Sequence, residues 1–322
     1  MIEVRSALRA MGTRFEIVLY GERELYLRTV AEEVFREITR LESRLSYYQE
    51  SSDITDINLH AYDLPVMLDP PLFSLLELAV QIWAVTEGAF DLTIAPLLEC
   101  WGFVGGMGKM PSAEAIREAL ERVGMQHLFL DREQHTVSFD RPDVLLELGA
   151  IGKGYAIDQA VEMLRDFEIE SALLHGGTSS VYALGTPPDA EAWKVAIQSP
   201  QSDELLAEVL LSDMSLSVSA PRHKGFDQDG KRYGHVIDPR TGYPVPEHLL
   251  SAVVCPSATL GDALSTALLV SGQALMPVLE PLLLGGEVLL CCADLKGNVI
   301  IERGKQESRF AIVEHSTMFE AS

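Results

Sequence analysis

The stretch Glu147-Leu-Gly-Ala-Ile-Gly-Lys-Gly-Tyr-Ala-Ile-Asp158 constrains this chain more than any other. The apolar run Val144-Leu-Leu146 before it predicts a strand. Ile157, Ala160, Val161 and Leu164 after it fall on one face of an amphipathic helix. Between them lie three glycines, with Lys153 between the last two. Strand, glycine loop and helix together form a common phosphate holder. Glycines let backbone N–H groups approach the oxygens, and the helix N-terminus adds partial positive charge. Lys153 would add a full one. The spacing is neither Gly-x4-Gly-Lys-Ser/Thr nor Gly-x-Gly-x-x-Gly. A plain turn before a helix therefore stands as the alternative.

The formal net charge of the 322 residues is −23, which argues against nucleic-acid binding. It also means that an anionic nucleotide needs local help from a lysine or a metal. With 47% apolar and 23% charged residues the chain is globular and long enough for a sizeable core. Cys100, Cys255, Cys291 and Cys292 form no Cys-x-x-Cys pair, so free buried thiols are expected rather than zinc or a disulfide framework. The N-terminus has no secretory apolar region, and no apolar run reads as a membrane span, so a cytoplasmic location is expected.

Taken in order, Thr13–Tyr20 alternates Phe15, Ile17 and Leu19 inward as a half-buried strand. Leu27, Val30, Val34, Ile38, Leu41 and Leu45 predict a long amphipathic helix. A short capped helix is expected over Ser52–Asn58, a second long one from Pro70 to Thr86, and a third over Ser112–Val123. Residues 86–108 look irregular, which is unusual in a compact chain and marks a functional or a surface loop. Strands are predicted at 127–130, 136–139, 172–178, 181–184, 193–197, 207–211, 215–219, 249–255, 287–291 and 298–302. Helices are predicted at 260–270 and 274–283. Runs of strands interrupted by helices imply an α+β fold with a mostly antiparallel sheet, read as a single domain over residues 1–322.

Three further stretches carry candidate chemistry. In Gly234-His-Val-Ile-Asp-Pro-Arg-Thr-Gly-Tyr-Pro244, His235 and Asp238 could serve as base and orienter, or the segment is simply a β-turn. Asp262 and Thr266 share a helix face and offer hard oxygen ligation for Mg²⁺; otherwise Asp262 only offsets the helix dipole. Gly88-Ala-Phe-Asp91 with Trp101 and Phe103 could wall a flat heterocycle, or form a lid on the core.

Together and in this order, these stretches resemble the ApbE family, the FAD:protein FMN transferases. The resemblance is carried by Met11-Gly-Thr13, Leu45-Ser-Tyr-Tyr48, Ser52–Asn58, Thr86–Pro96 with Trp101-Gly-Phe103, the central glycine stretch, the 234–244 turn and the Asp262–Thr266 helix. It spans about residues 5–305. It implies that Met11, Tyr48, Ala89, Phe90, Asp91, Glu147, Lys153 and His235 contact FAD. It also implies that the Ala150 carbonyl, Asp262 and Thr266 bind Mg²⁺. The implied reaction cleaves FAD, transfers FMN to a Thr or Ser hydroxyl of a partner protein and releases AMP. His235 or Asp262 would be the catalytic groups. The implied acceptor carries a Ser/Thr-Gly-Ala-Thr/Ser-type site. Glu147 stands where Asp is usual. His175-Gly-Gly-Thr178 and Ser217-Val-Ser-Ala220 also depart from the family pattern, as does Pro221-Arg222. The departures at Thr178 and Ala220 favour the alternative of a relative that binds FAD, or hydrolyses it slowly, with no acceptor, while the intact Asp262, Thr266, Lys153 and Asp91 favour the active transferase.

Overall fold

The computed structural model describes residues 1–106, 108–202, 204–221, 225–245, 248–293, 299–304 and 308–313. The chain opens with the hairpin β1 (Ile2–Ala10) and β2 (Thr13–Gly21), then α1 (Glu24–Leu45), α2 (Asp53–His60), β3 (Val66–Met67), α3 (Pro70–Val85), α4 (Ala95–Cys100) and α5 (Ala113–Leu120). Next come β4 (Leu128–Asp131), β5 (Thr136–Phe139), α6 (Gly152–Asp166), β6 (Ser171–Gly176), β7 (Ser180–Leu184), β8 (Trp193–Gln198), β9 (Leu205–Leu211) and β10 (Met214–Ser219). The remainder is β11 (Gly225–Gln228), β12 (Lys231–Gly234), β13 (His248–Cys255), α7 (Ala258–Ser271), α8 (Met276–Leu279), β14 (Glu287–Ala293), β15 (Val299–Arg303) and β16 (Phe310–Ile312).

By internal contacts these residues fall into two compact units. The first comprises Met1–Glu42, Ile151–Ala220 and Glu247–Ser322; the second comprises Ser43–Ala150 and Pro221–Pro246.

The first unit is built on an eight-stranded sheet, ordered β1-β2-β6-β7-β10-β13-β14-β15, with every pairing antiparallel. The expected antiparallel α+β architecture is what the chain adopts. Alternation decides the two faces. Met214 and Leu216 of β10 and Leu250, Ala252 and Val254 of β13 pack with the three-stranded sheet β16-β9-β8 through Trp193, Val209 and Phe310. The intervening Ser215, Ser217 and Ser251 are fully buried on the opposite face, where α7 packs on β10 and β13 and α6 packs on β6 and β7. Phe15, Ile17 and Leu19 of β2 are fully buried, as their alternation requires.

The β1–β2 turn consists of Met11 and Gly12, at φ 50° and 69°. Two positive φ values are what a two-residue hairpin demands, and Gly12 meets the demand without a side chain. Met11 has no such freedom; its amide is held by Glu42 Oε1 at 2.6 Å.

The second unit holds α2 to α5, the sheet β3-β5-β4 and the hairpin β11–β12. Ser52, Asp69 and Ser112 cap α2, α3 and α5 by accepting the amides of Thr55, Leu72 and Ala115.

Several expectations are corrected. Residues 144–146 form no strand; Leu146 is bracketed instead by the Asn58 side chain, at 3.0 Å to its carbonyl and 2.7 Å from its amide. The helix expected over 274–283 is a series of short turns around α8, broken by Pro277 and Pro281. The irregular loop contains α4, and β1, β3, β11, β12 and β16 were not foreseen. Asn298, expected in a strand, and Arg222 lie outside the described residues. The run Ala258–Leu282 is long and apolar enough to cross a membrane, contrary to expectation, but most of it is buried inside the protein as α7 and the turns after it. All four cysteines are free thiols.

Candidate functional site

In the first unit the glycine stretch and the Asp262 helix meet. α6 starts at Gly152, so Lys153 and Gly154 occupy its first turn. Asp262 sits on α7 and is almost fully buried. Its Oδ2 accepts from the Gly154 amide at 3.0 Å and lies 3.4 Å from Lys153 Nζ. Its Oδ1 accepts from Ser180 Oγ at 3.2 Å. One turn on, Thr266 Oγ1 donates to the Asp262 carbonyl at 3.2 Å and stands 3.3 Å from Ser219 Oγ. Ser219 is also 2.9 Å from Ser265 Oγ. A buried carboxylate, a lysine and a cluster of hydroxyls thus share one small region. Burying a carboxylate costs too much unless it is paired and hydrogen-bonded, and here it is both. Gly154 is a glycine of necessity: a Cβ there would lie 2.1 Å from the Ala258 carbonyl oxygen.

Sequence reasoning missed Ser180 and Ser219. The signal was present in the alternation Ser215, Ser217, Ser219, which puts three hydroxyls on one face of β10. Which hydroxyl meets Thr266 depends on strand order, which the alternation does not reveal. His175 on β6 stands opposite Glu16 in the ladder, and burial holds its pKa below the usual histidine value. Thr178 follows the left-handed Gly177, in the turn between β6 and β7.

In the second unit Asp91 is buried, and its carboxylate binds inward. Oδ1 accepts from the Thr93 amide at 2.7 Å and from Thr93 Oγ1 at 2.5 Å, and Oδ2 from the Met125 amide at 3.1 Å. Burial raises its pKa, while the hydrogen bonds from Thr93 and Met125 pull the other way. Ala89 and Phe90 are buried beside it. Trp101 is fully buried too: its Nε1 donates to the Gly242 carbonyl at 2.8 Å, and its ring packs on Phe226, Tyr233 and Tyr243. Of the two readings of this aromatic group, the core reading therefore holds for Trp101, which offers no face to a ligand. Tyr48 is different, with 65% of its surface exposed. Its pKa is raised, first by partial desolvation and then by the nearby Glu147 charge, which places the two residues in one neighbourhood. Glu147 Oε1 accepts the Gly149 amide at 3.0 Å, folding the carboxylate onto its own loop.

The 234–244 segment is a built turn. Asp238 accepts the Gly242 amide on its carbonyl at 2.8 Å and grips Arg240 with both carboxylate oxygens, at 2.9 Å from Nε and 2.9 Å from Nη2. Asp238 therefore serves the turn. His235 is partly buried just after β12.

A family model described as the ApbE family matches residues 11–284. The chain belongs to the ApbE family. An FAD:protein FMN transferase of Klebsiella pneumoniae is 34% identical over 263 residues, covering 80% of this chain and 79% of that protein. One from Treponema pallidum is 30% identical over 287 residues, covering 84% and 79%. Among solved structures, the ApbE protein of Thermotoga maritima superposes with a TM-score of 0.85 at 30% identity, covering 94% of this chain and 97% of that one.

The Mg²⁺ that the family resemblance implies can be tested against the donors. Asp262 and Thr266 supply a carboxylate and a hydroxyl one turn apart, with Ser180 and Ser219 hydroxyls beside them. This all-oxygen set fits a hard cation. Among the described residues no three His, Cys, Asp or Glu side chains gather. Ala150 is half-buried at the end of the second unit's share of the glycine stretch.

Proposed function

We propose that this ApbE family member is an Mg²⁺-dependent FAD:protein FMN transferase acting on a Thr or Ser hydroxyl of a partner protein. The observation that carries the reading is the buried Asp262 carboxylate beside Lys153, with Thr266 one turn away. The names of the Klebsiella and Treponema relatives support the same reaction class. Asp262, Thr266 and the Ala150 carbonyl would hold Mg²⁺, which supplies charge neutralisation at the FAD pyrophosphate. Lys153 would bind the same phosphates. Met11, Tyr48, Ala89, Phe90, Asp91 and Glu147 would shape the flavin side, those with buried side chains through backbone and packing. The acceptor oxygen forms a new ester bond to the FMN phosphorus as the anhydride bond to AMP breaks. The hydroxyl proton leaves to a base, for which His235 is the candidate. An acceptor bearing a Ser/Thr-Gly-Ala-Thr/Ser-type site is the proposed partner.

The test incubates the protein with FAD, Mg²⁺ and such an acceptor, and follows in-gel flavin fluorescence and AMP release. Asp262→Ala should abolish both, and His235→Ala should slow transfer far more than it weakens FAD binding. AMP release without a labelled acceptor would favour the FAD-hydrolysing alternative. Tight FAD binding with neither product would favour a storage role.

A further inference from the structure

Asp158, the last residue of the glycine stretch, makes a set of contacts that the proposed chemistry leaves unused. Its Oδ1 accepts the Ala258 amide at 2.7 Å. Its Oδ2 accepts the Thr259 amide at 2.9 Å, Ser257 Oγ at 2.7 Å and Thr259 Oγ1 at 2.6 Å. Asp158 belongs to α6, yet every one of these donors belongs to the start of α7. Ser257 Oγ in turn accepts the Leu260 amide at 3.2 Å, so the first-turn donors of α7 are satisfied. The start of α6 shows the converse. Its N-cap residue, Ile151, has no capping side chain, and the Gly154 amide is taken by Asp262 of α7.

Each helix start is therefore capped by a carboxylate from the other helix. Gly154 and Asp158 are four apart on α6, and Ala258 and Asp262 are four apart on α7, so each pair shares a face. The two faces close as a reciprocal clasp, with Gly154 fitted against the Ala258 carbonyl. An anionic cap also complements the positive end of each helix dipole.

We infer that Asp158 is a positioning residue: by fixing where α7 begins, it sets where Asp262 meets the first turn of α6. The clasp stands on the hydrogen bonds alone, and its bearing on metal binding rests on the proposed function. If α7 slips, Asp262 loses its register with Gly154 and Lys153, although the carboxylate of Asp158 makes its four hydrogen bonds to the start of α7.

The test uses Asp158→Asn in the full chain, with hydrogen exchange read amide by amide. The Gly154 amide should exchange about tenfold faster or more, on the scale of a lost cap, while the Leu174 amide in β6 keeps its protection. Thr259→Val removes one of the four contacts and should give a smaller change at the same amide. With Mn²⁺ as a paramagnetic probe, Asp158→Asn should weaken binding by about tenfold. Unchanged Gly154 exchange in Asp158→Asn, or a rise no larger than at Leu174, would overturn the inference. Neither readout needs turnover, so a wild type that labels no acceptor would sink the transferase reading and leave the clasp standing.

Discussion

Lys153 has two calls on its charge, and they predict different losses. It lies 3.4 Å from Asp262, and it crowns a helix start where phosphate would bind. Lys153→Ala should weaken FAD binding by about 1–3 kcal/mol, the range for charge-assisted hydrogen bonds. The measurement is a fluorescence titration without Mg²⁺, and unchanged affinity would remove the phosphate-binding role of Lys153. Asp91 offers a pH prediction of unusual sign. Burial raises its pKa, so the folded protein holds that proton more tightly than the unfolded chain does. Its contribution to stability is complete below the unfolded pKa and is lost as pH rises through the folded one. Urea midpoints of wild type minus Asp91→Asn, taken from about pH 3 to about pH 7, should be largest at the acid end and shrink as pH rises. A difference that grows with pH would contradict the burial argument. Residues with charge and motif context were legible in the sequence. Ser180 and Ser219 were not, because a serine's meaning here depends on which strand lies beside its own.

At the scale of elements, α4 and the 234–244 turn are held together by Trp101. Its indole N–H satisfies the Gly242 carbonyl, and Gly242 itself is forced by a φ of 77° and by Ile116, which a Cβ would meet at 2.5 Å. Trp101→Phe removes the donor and leaves both a void and an unpaired carbonyl. A loss of about 2–4 kcal/mol in urea unfolding is expected. Loss of protection in the turn that carries His235 should accompany it, and a change below about 1 kcal/mol would show that the turn stands by itself. The elements that the sequence revealed were those whose apolar period is decided by one buried face, such as α1, α6 and β2. β1 was hidden because an edge strand buries little: only Val4 and Ala10 of its residues are fully buried. The run at 144–146 misled for the opposite reason. Val144 and Leu146 are buried as a strand's would be, but the backbone partner of Leu146 is the amide side chain of Asn58 rather than a neighbouring strand. Periodicity reports burial and is silent on who supplies the hydrogen bonds.

For the whole molecule, the division into two units was invisible in the sequence because the chain changes unit at 42/43, 150/151, 220/221 and 246/247. No composition shift marks these points, and one of them falls inside the glycine motif itself. Net charge, in contrast, is read directly, and it yields a prediction about kinetics. A chain of −23 repels the diphosphate of FAD at long range, while Lys153 attracts it only at contact. Salt screens the first effect strongly, since the Debye length falls to about 10 Å at 0.1 M, and it screens a short, partly buried contact much less. The association rate of FAD without Mg²⁺ should therefore rise with ionic strength, on the order of a few-fold between about 10 and 300 mM NaCl. Stopped-flow quenching of flavin fluorescence measures it. The dissociation rate should change little, because bound phosphate answers to the local contacts. An association rate that falls with salt would mean that a positive local field around the glycine stretch outweighs the charge of the whole chain. In that case Lys153→Ala should reverse the sign of the salt dependence.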